Sequence, residues 1–208
     1  MKKIFLACFV IFFFIREAGA ESVNQGSSDL QSNLALLSAQ CGYALDKNIS
    51  DRVVKSSSTM NDKVVSVDFY IDLNSMPSIR GKLSFSCLAG ALSAPPESSA
   101  QRTTAADEIA LEDSGGRYAR NIVWQRKYEG DGWGGTVAYV NSVSGDQSKK
   151  PIPDYFLICP DKDRLACFSF EVGKMRLKKQ ESDLVPESLH GISLSNSQKT
   201  VPNSPDKE

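Results

Sequence analysis

Residues 63–73 have the sequence KVVSVDFYIDL, and this stretch decides the fold class of the chain. Apolar and polar side chains alternate along it: Val65, Val67, Phe69 and Ile71 lie between Ser66, Asp68, Tyr70 and Asp72. Because successive side chains of a strand point to opposite faces, the pattern predicts a β-strand with one buried face. Residues 82–88 alternate in the same way after the turn-rich residues 74–78, so the two stretches are predicted to form an antiparallel hairpin.

Two further hairpins are predicted downstream. Residues 117–128 and 136–143 both alternate, and they flank a glycine-rich turn at 130–135 whose residues tolerate positive φ. Residues 155–159 and 165–170 are apolar and β-prone on either side of a short polar turn. The order of these stretches along the chain predicts successive antiparallel hairpins.

A short helix is predicted near the start of the chain. Asp29 can cap its first turn, leucines then recur at roughly helical spacing, and Gly42 marks its end. A helix followed by successive hairpins predicts a mainly β fold with a minor α part, built as an antiparallel sheet or a sandwich. We assign residues 29–178 to this single domain.

The remaining segments are predicted to be less regular. Residues 94–104 are small, polar and marked by prolines, which indicates a connecting loop, and residues 107–112 have a weak helical pattern. We expect residues 21–28 to be loose. We expect residues 179–208 to form a disordered tail, because their polar composition leaves little to bury.

Residues 1–20 have the three parts of a secretory signal peptide. Two lysines precede an uncharged apolar stretch from Ile4 to Ile15, and a small-residue ending closes at Ala20, after which we expect cleavage. The apolar stretch is shorter than the roughly 20 residues that span a bilayer, so a retained anchor is the weaker alternative. Cys8 lies too early in the apolar stretch for a lipoprotein site. The chain is therefore predicted to be periplasmic or secreted, with no stable membrane anchor after cleavage.

Charge argues against one class of partner. The whole chain has a formal net charge of −1, and removal of three basic and one acidic side chain with the signal would leave a mildly acidic protein. Nucleic-acid binding requires a concentrated Lys/Arg face that displaces counterions from phosphates. No basic block is present in the sequence, so we expect no nucleic-acid partner.

Four cysteines follow the signal segment: Cys41, Cys87, Cys159 and Cys167. An even number in an exported chain is typical of disulfides, and four cysteines allow three pairings. Cys159 and Cys167 lie at the mouth of one predicted hairpin, which favours pairing them and leaves Cys41 with Cys87. Metal sites and redox pairs need other spacings or nearby histidines, so we predict no metal and no cofactor.

The chain lacks the residue patterns of most hydrolases. Its one histidine, His190, lies in the predicted tail, and serine, cysteine and many metal hydrolases need an imidazole held by the fold. We therefore predict that the protein is not an enzyme. Two carboxylates alone can drive glycoside hydrolysis, which keeps a cell-wall glycan hydrolase as the alternative. The candidate acids are Glu129 with Asp131, and Asp161 or Asp163 with Glu171.

Two loops are predicted to bind a partner. Trp133 lies beside Asp131 in the glycine-rich turn, where its ring is either an exposed contact or folded back over the sheet edge. The second loop is the tip closed by the predicted Cys159–Cys167 disulfide, and it presents four charged residues: Asp161, Lys162, Asp163 and Arg164. A stapled tip offers its charges at little ordering cost, although it is equally well explained as a stabiliser of the hairpin.

These features favour binding over catalysis. In general type the chain resembles the small exported inhibitors and immunity proteins of Gram-negative bacteria, which are β-rich, disulfide-stapled and poor in catalytic groups. The hypothesis is a periplasmic protein that neutralises a toxin or a cell-wall or membrane-degrading enzyme by occlusion. The sequence is also compatible with a structural role in the envelope and with a secreted virulence factor.

Overall fold

A computed structural model describes residues 26–73, 78–90, 92, 104–113, 119–143, 153–161, 165–173 and 177–195. The predicted signal peptide, nearly all of the predicted turn at 74–78 and nearly all of the predicted loop at 94–104 lie outside the described residues. Within those residues, none of the helices combines the length and apolar character needed to cross a bilayer.

The fold is mainly antiparallel β with a short N-terminal helix, as the sequence predicts. The described elements in chain order are α1 (Gly26–Leu36), a π-helical segment (Leu37–Cys41), β1 (Tyr43–Leu45), α2 (Lys47–Ser50), β2 (Val53–Met60), β3 (Val64–Asp72), β4 (Arg80–Leu88), α3 (Ala105–Asp113), β5 (Ala119–Gly130), β6 (Trp133–Val143), β7 (Tyr155–Pro160), β8 (Phe168–Val172), α4 (Lys179–Ser188) and β9 (Ile192–Leu194).

One seven-stranded antiparallel sheet organises the molecule. Its strand order is β2-β3-β4-β8-β7-β6-β5, and the small strands β1 and β9 form a separate two-stranded sheet. The three predicted hairpins are all present as β3–β4, β5–β6 and β7–β8. They join into a single sheet because β8 pairs with β4. Of the two predicted architectures, the structure thus has the sheet.

Alternation along the strands separates an inner face from an outer face. Phe69, Leu83, Phe170, Phe156 and Tyr139 form one row across the inner face, and all five are buried. The π-helical segment, β1, α4 and β9 supply the other side of this core. The sheet is therefore covered on its inner face by the two ends of the described chain.

Helix α3 covers part of the outer face. Its buried side chains Ala105 and Ile109 pack with residues of β6 and β7, which form a second and smaller core. The backbone N–H of Ala105 donates to Thr136 Oγ1 at 2.9 Å, and the next N–H donates to Gln125 Oε1 at 2.8 Å. These bonds satisfy two donors of the first helical turn, which have no partner inside the helix.

The helix at the N-terminus differs from its prediction at the start. It begins at Gly26 rather than after Asp29, so the prediction that residues 21–28 are loose is wrong for residues 26–28. The helical region ends at Gly42, as predicted, and this glycine has a φ of 77°. Positive φ is accessible to glycine because it has no Cβ, which explains the stop at this position.

The C-terminal segment is the largest departure from the sequence prediction. The sequence predicts disorder for residues 179–195, but they contain α4 and β9, and β9 pairs with β1. Val185, Leu189, Ile192 and Leu194 are all buried. The prediction of disorder is therefore wrong for 179–195, because four well-spaced apolar side chains bury enough surface to order a polar segment. Residues 196–208 lie outside the described residues.

Both predicted disulfides are present. Cys41 and Cys87 are bonded with their Cα atoms 5.5 Å apart, and they tie the π-helical segment to β4. Cys159 and Cys167 are bonded with their Cα atoms 4.2 Å apart and close the β7–β8 hairpin. Of the three possible pairings, the structure thus has the one that the local sequence favours.

Candidate functional site

The β5–β6 hairpin has a much tighter turn than the sequence predicts. Gly130 pairs with Trp133, so only Asp131 and Gly132 form the loop, and Gly132 has a φ of 78°. Asp-Gly is a sequence that favours two-residue hairpin turns. The predicted turn over residues 130–135 is therefore wrong at both ends, since the strands continue to the two-residue loop.

Trp133 is not an exposed contact. Its side chain is 6% exposed, and its Nε1 donates to the backbone oxygen of Ile192 at 2.7 Å. A Cβ on Gly130 would overlap the indole ring, so the glycine provides the space that the ring occupies. The prediction of an exposed Trp133 is wrong and the alternative of a ring folded back over the sheet is confirmed, because an indole with one apolar body and one N–H is better satisfied against β9 than in water.

Other bonds join the same hairpin to the C-terminal segment. Tyr128 is buried and its hydroxyl donates to the backbone oxygen of Leu189 at 2.7 Å. The backbone N–H of Asp131 donates to the oxygen of Ile192 at 3.3 Å. The exposed His190 ring lies with Nδ1 2.7 Å from the backbone oxygen of Glu129. The fold therefore holds this histidine, contrary to its predicted place in a disordered tail.

The second predicted loop lies beside the first. The backbone N–H of Asp161 donates to the oxygen of Gly134 at 2.9 Å. A Cβ built on Gly134 would lie 3.6 Å from Asp161 Oδ2, so the carboxylate rests against the β5–β6 hairpin. The Cys159–Cys167 disulfide is two residues before Asp161. Two loops that the sequence identified separately thus meet at one end of the sheet.

We use the name acidic turn surface for Glu129, Asp131 and Asp161. All three side chains are exposed, and none has an ion-pair partner within the described residues. The other predicted tip residues, Lys162, Asp163 and Arg164, lie outside the described residues. The three described carboxylates thus lie on a backbone that is fixed by hydrogen bonds and by a disulfide.

Glu171 cannot share a catalytic site with Asp161. Glu171 pairs with Tyr155 at the beginning of β7, whereas Asp161 follows the end of that strand. Six residues of extended chain separate the two positions by roughly 20 Å. Glycoside hydrolysis by two carboxylates needs a separation of about 5–10 Å. In the part of the chain that the structure describes, no group of three or more metal-ligating side chains is present.

Two buried phenols lie under the acidic turn surface. Burial raises the pKa of Tyr43 well above its ordinary value, and the neighbouring Tyr128 raises it further. Burial likewise raises the pKa of Tyr128. The rings of both tyrosines contact Trp133, with centroid distances of 6.2 and 5.1 Å. These aromatic side chains form an uncharged base for the hairpin at neutral pH.

The sequence contains a pattern from which the order of the C-terminal segment could be predicted. Val185 and Leu189 are four residues apart, which places them on one helical face, and Ile192 and Leu194 are two apart, which is the strand period. The change from one period to the other occurs at Gly191. Only the pairing of β9 with β1, about 150 residues away in the chain, shows that these residues support the candidate site.

Comparison with known proteins adds no relative: no family model, curated protein or solved structure matches this chain.

Proposed function

We propose that this is an exported protein-binding protein that occludes a toxin or a degradative enzyme, as an inhibitor or immunity protein does. The acidic turn surface is the part that contacts the partner. The two disulfides support work in an oxidising compartment such as the periplasm, where such bonds persist.

The observation that carries this proposal is the bond between the two loops. Asp161 and Gly134 are joined at 2.9 Å, although the sequence separates them by more than twenty residues. The Asp131 turn is fixed from below by Trp133, and the Asp161 segment by the neighbouring disulfide. A surface that is already ordered loses little conformational entropy on binding, and this favours affinity.

Charge indicates the chemistry of the partner. Three exposed carboxylates at the end of one sheet favour a partner with a lysine- or arginine-rich rim. Opposite charges of this kind speed association and exclude acidic competitors, whereas a buried centre supplies most of the affinity. The proposed partner is thus a protein whose active cleft or docking face is basic.

Capture from a periplasmic extract tests the proposal. The mature chain is immobilised, and the bound proteins are compared with those bound by the variant Asp131→Lys with Asp161→Lys. We expect a specific partner on the native chain and at least about tenfold less of it on the variant, because like charges across an interface repel.

The matched control is Asp62→Lys, which reverses an exposed aspartate in the short turn between β2 and β3. This control is expected to retain the partner. Equal capture by the native chain and by the Asp131→Lys, Asp161→Lys variant would contradict the proposal, as would loss of capture by the control alone.

A further inference from the structure

A groove lies on the outer face of the sheet, at the end opposite the acidic turn surface. It has a volume of about 470 Å³. Its lining residues come from β2, β3, β4 and β8 and the residue after β8: Val54, Tyr70, Ile71, Asp72, Arg80, Gly81, Lys82, Glu171 and Gly173. We call it the outer-face groove. Volumes of this size are typical of small-molecule sites.

A β-bulge shapes the apolar side of the groove. The register of β2 against β3 shifts between Val53 and Lys55, so Val54 leaves the regular pleat and is 75% exposed. Tyr70 lies on the adjacent strand and is 40% exposed, with Lys55 Nζ 5.8 Å from its ring centroid. Bulges commonly redirect a side chain next to a binding site. The groove thus has one aliphatic and one aromatic wall.

The charged side of the groove contains one satisfied ion pair. Arg80 Nε lies 2.7 Å from Asp72 Oδ2, and Ser78 Oγ donates to the other oxygen of this carboxylate at 2.9 Å. Their charges are therefore already compensated.

Lys82 and Glu171 differ from that pair. They are directly opposite each other in the β4–β8 register, where oppositely charged side chains normally pair across strands. Yet neither side chain has a hydrogen bond or an ion pair within the described part of the chain, although both residues are half-buried. Among the described residues, one ammonium and one carboxylate without a side-chain partner therefore line the same groove.

We propose that the outer-face groove binds a free α-amino acid with an apolar side chain, held between Lys82 and Glu171. The ligand carboxylate accepts from Lys82 Nζ, and the ligand ammonium donates to the Glu171 carboxylate. Bonds between two charged groups are the stronger class of hydrogen bond. The apolar side chain of the ligand then lies against Val54 and Tyr70.

Charge and volume together select this ligand class. An anion alone would leave Glu171 repelled in a half-buried position, and a cation alone would do the same to Lys82. A zwitterion compensates both charges at once. An apolar rather than a charged side chain fits the walls formed by Val54 and Tyr70, since the nearby Asp72 and Arg80 are already paired with each other.

Titration of the isotope-labelled mature chain with L-phenylalanine, followed by NMR, tests the proposal. We expect saturable shifts at the amides of Gly81, Lys82 and Glu171, with a dissociation constant in the micromolar to low millimolar range that a ligand this small allows. N-acetyl-L-phenylalanine lacks the ammonium and L-phenylalaninamide lacks the carboxylate. Each is expected to bind at least about tenfold more weakly.

Two variants assign each contact separately. In Glu171→Gln the preference for L-phenylalanine over the N-acetyl compound is expected to disappear, and in Lys82→Met the preference over the amide is expected to disappear. Lys47→Met and Glu187→Gln alter exposed residues of α2 and α4 and serve as matched controls that retain both preferences. Both groove variants are expected to keep the native unfolding midpoint, because their side chains make no bond that folding needs.

Three results would overturn the inference: no saturable shift with L-phenylalanine, shifts confined to residues outside the groove, or equal binding of all three compounds. Partner capture by the acidic turn surface does not depend on any of these results. The two proposals therefore fail separately.

Discussion

The two ends of the seven-stranded sheet differ in how their polar groups are used. At the end with the acidic turn surface, buried side chains bond to backbone: Trp133 to Ile192, and Tyr128 to Leu189. At the end with the outer-face groove, the side chains of the half-buried Lys82 and Glu171 have no hydrogen bond or ion pair within the described residues. The first end is held by hydrogen bonds from buried side chains, whereas the second has two charged side chains without a partner in the described residues.

This difference suggests two kinds of recognition. Exposed charges on an ordered, projecting backbone favour binding to another protein, because the backbone loses little conformational entropy on binding. Free charges in a concave space suit a small ligand that supplies the missing counter-charges. The difference between the two ends depends on the C-terminal segment, since α4 and β9 contact only the first of them. The largest predicted effect comes from removing that segment.

A chain that ends at Lys178 is expected to lose cooperative folding. It lacks Val185, Leu189, Ile192 and Leu194, each fully or almost fully buried. Burial of such a side chain contributes about 1.5–3 kcal/mol, so their sum is comparable with the whole stability of a small domain. Urea unfolding followed by tryptophan fluorescence measures the effect. A chain that ends at Ser195 is the control, because it keeps every contact described above, and equal midpoints for the two chains would disprove this role.

The two disulfides are expected to differ in their contribution to stability. Cys41 and Cys87 close a loop of 46 residues, whereas Cys159 and Cys167 close one of 8. Loop entropy then predicts losses of about 4 and about 2.5 kcal/mol for the paired replacements with alanine. Urea unfolding of both variants gives the difference. Although removal of Cys159–Cys167 should cost less stability, it should weaken partner capture more, since this disulfide is next to Asp161. A larger loss of capture on removal of Cys41–Cys87 would contradict that role.

Alkaline pH is expected to destabilise the fold through Tyr43 and Tyr128. Their pKa values are raised by burial, so the folded state holds protons that the unfolded state releases. The stabilisation is present below the unfolded pKa of about 10 and is lost as the pH rises above it, by about 1.4 kcal/mol per tyrosine at pH 11. Urea unfolding at pH 9 and pH 11 measures this loss. Tyr43→Phe should reduce it by about half, and an unchanged pH dependence in that variant would exclude Tyr43 as a cause.

Tyr128→Phe and Tyr70→Phe compare the two ends directly. The first change leaves the buried oxygen of Leu189 without its donor and should cost about 1–3 kcal/mol. The second removes a hydroxyl from a side chain that is 40% exposed and should change stability by less than about 0.5 kcal/mol. Thermal unfolding of both variants is sufficient. Similar losses would mean that the two ends do not differ in rigidity.

Local pattern was enough to predict most of the sheet. Alternation identified β3 and β4 and the strands of the two later hairpins, and the position of Cys159 and Cys167 at one hairpin mouth gave the disulfides. Strand β2 was missed because its residues, VVKSSSTM, do not alternate. It is an edge strand whose side chains are largely exposed, and its pairing with β3 holds it in place.

The candidate sites depend on contacts that sequence pattern does not contain. Asp131 and Asp161 were both identified, but their proximity follows from the pairing of β6 with β7. The sequence offers Glu171 as a candidate catalytic carboxylate, and only the pairing of β8 with β4 places it opposite Lys82. The glycines around Trp133 leave both an exposed and a folded-back ring possible, and only its bond to Ile192, 59 residues away in the chain, decides between them. Distances of that kind are set by topology rather than by periodicity.

The most direct test of the account measures how fast the captured partner associates with two double variants. Asp131→Lys with Asp161→Lys alters the acidic turn surface, and Lys82→Met with Glu171→Gln alters the outer-face groove. We predict an association rate at low salt at least about tenfold slower for the first variant, with a weaker salt dependence, and a native rate for the second. Native association by the first variant together with loss of binding by the second would contradict the account.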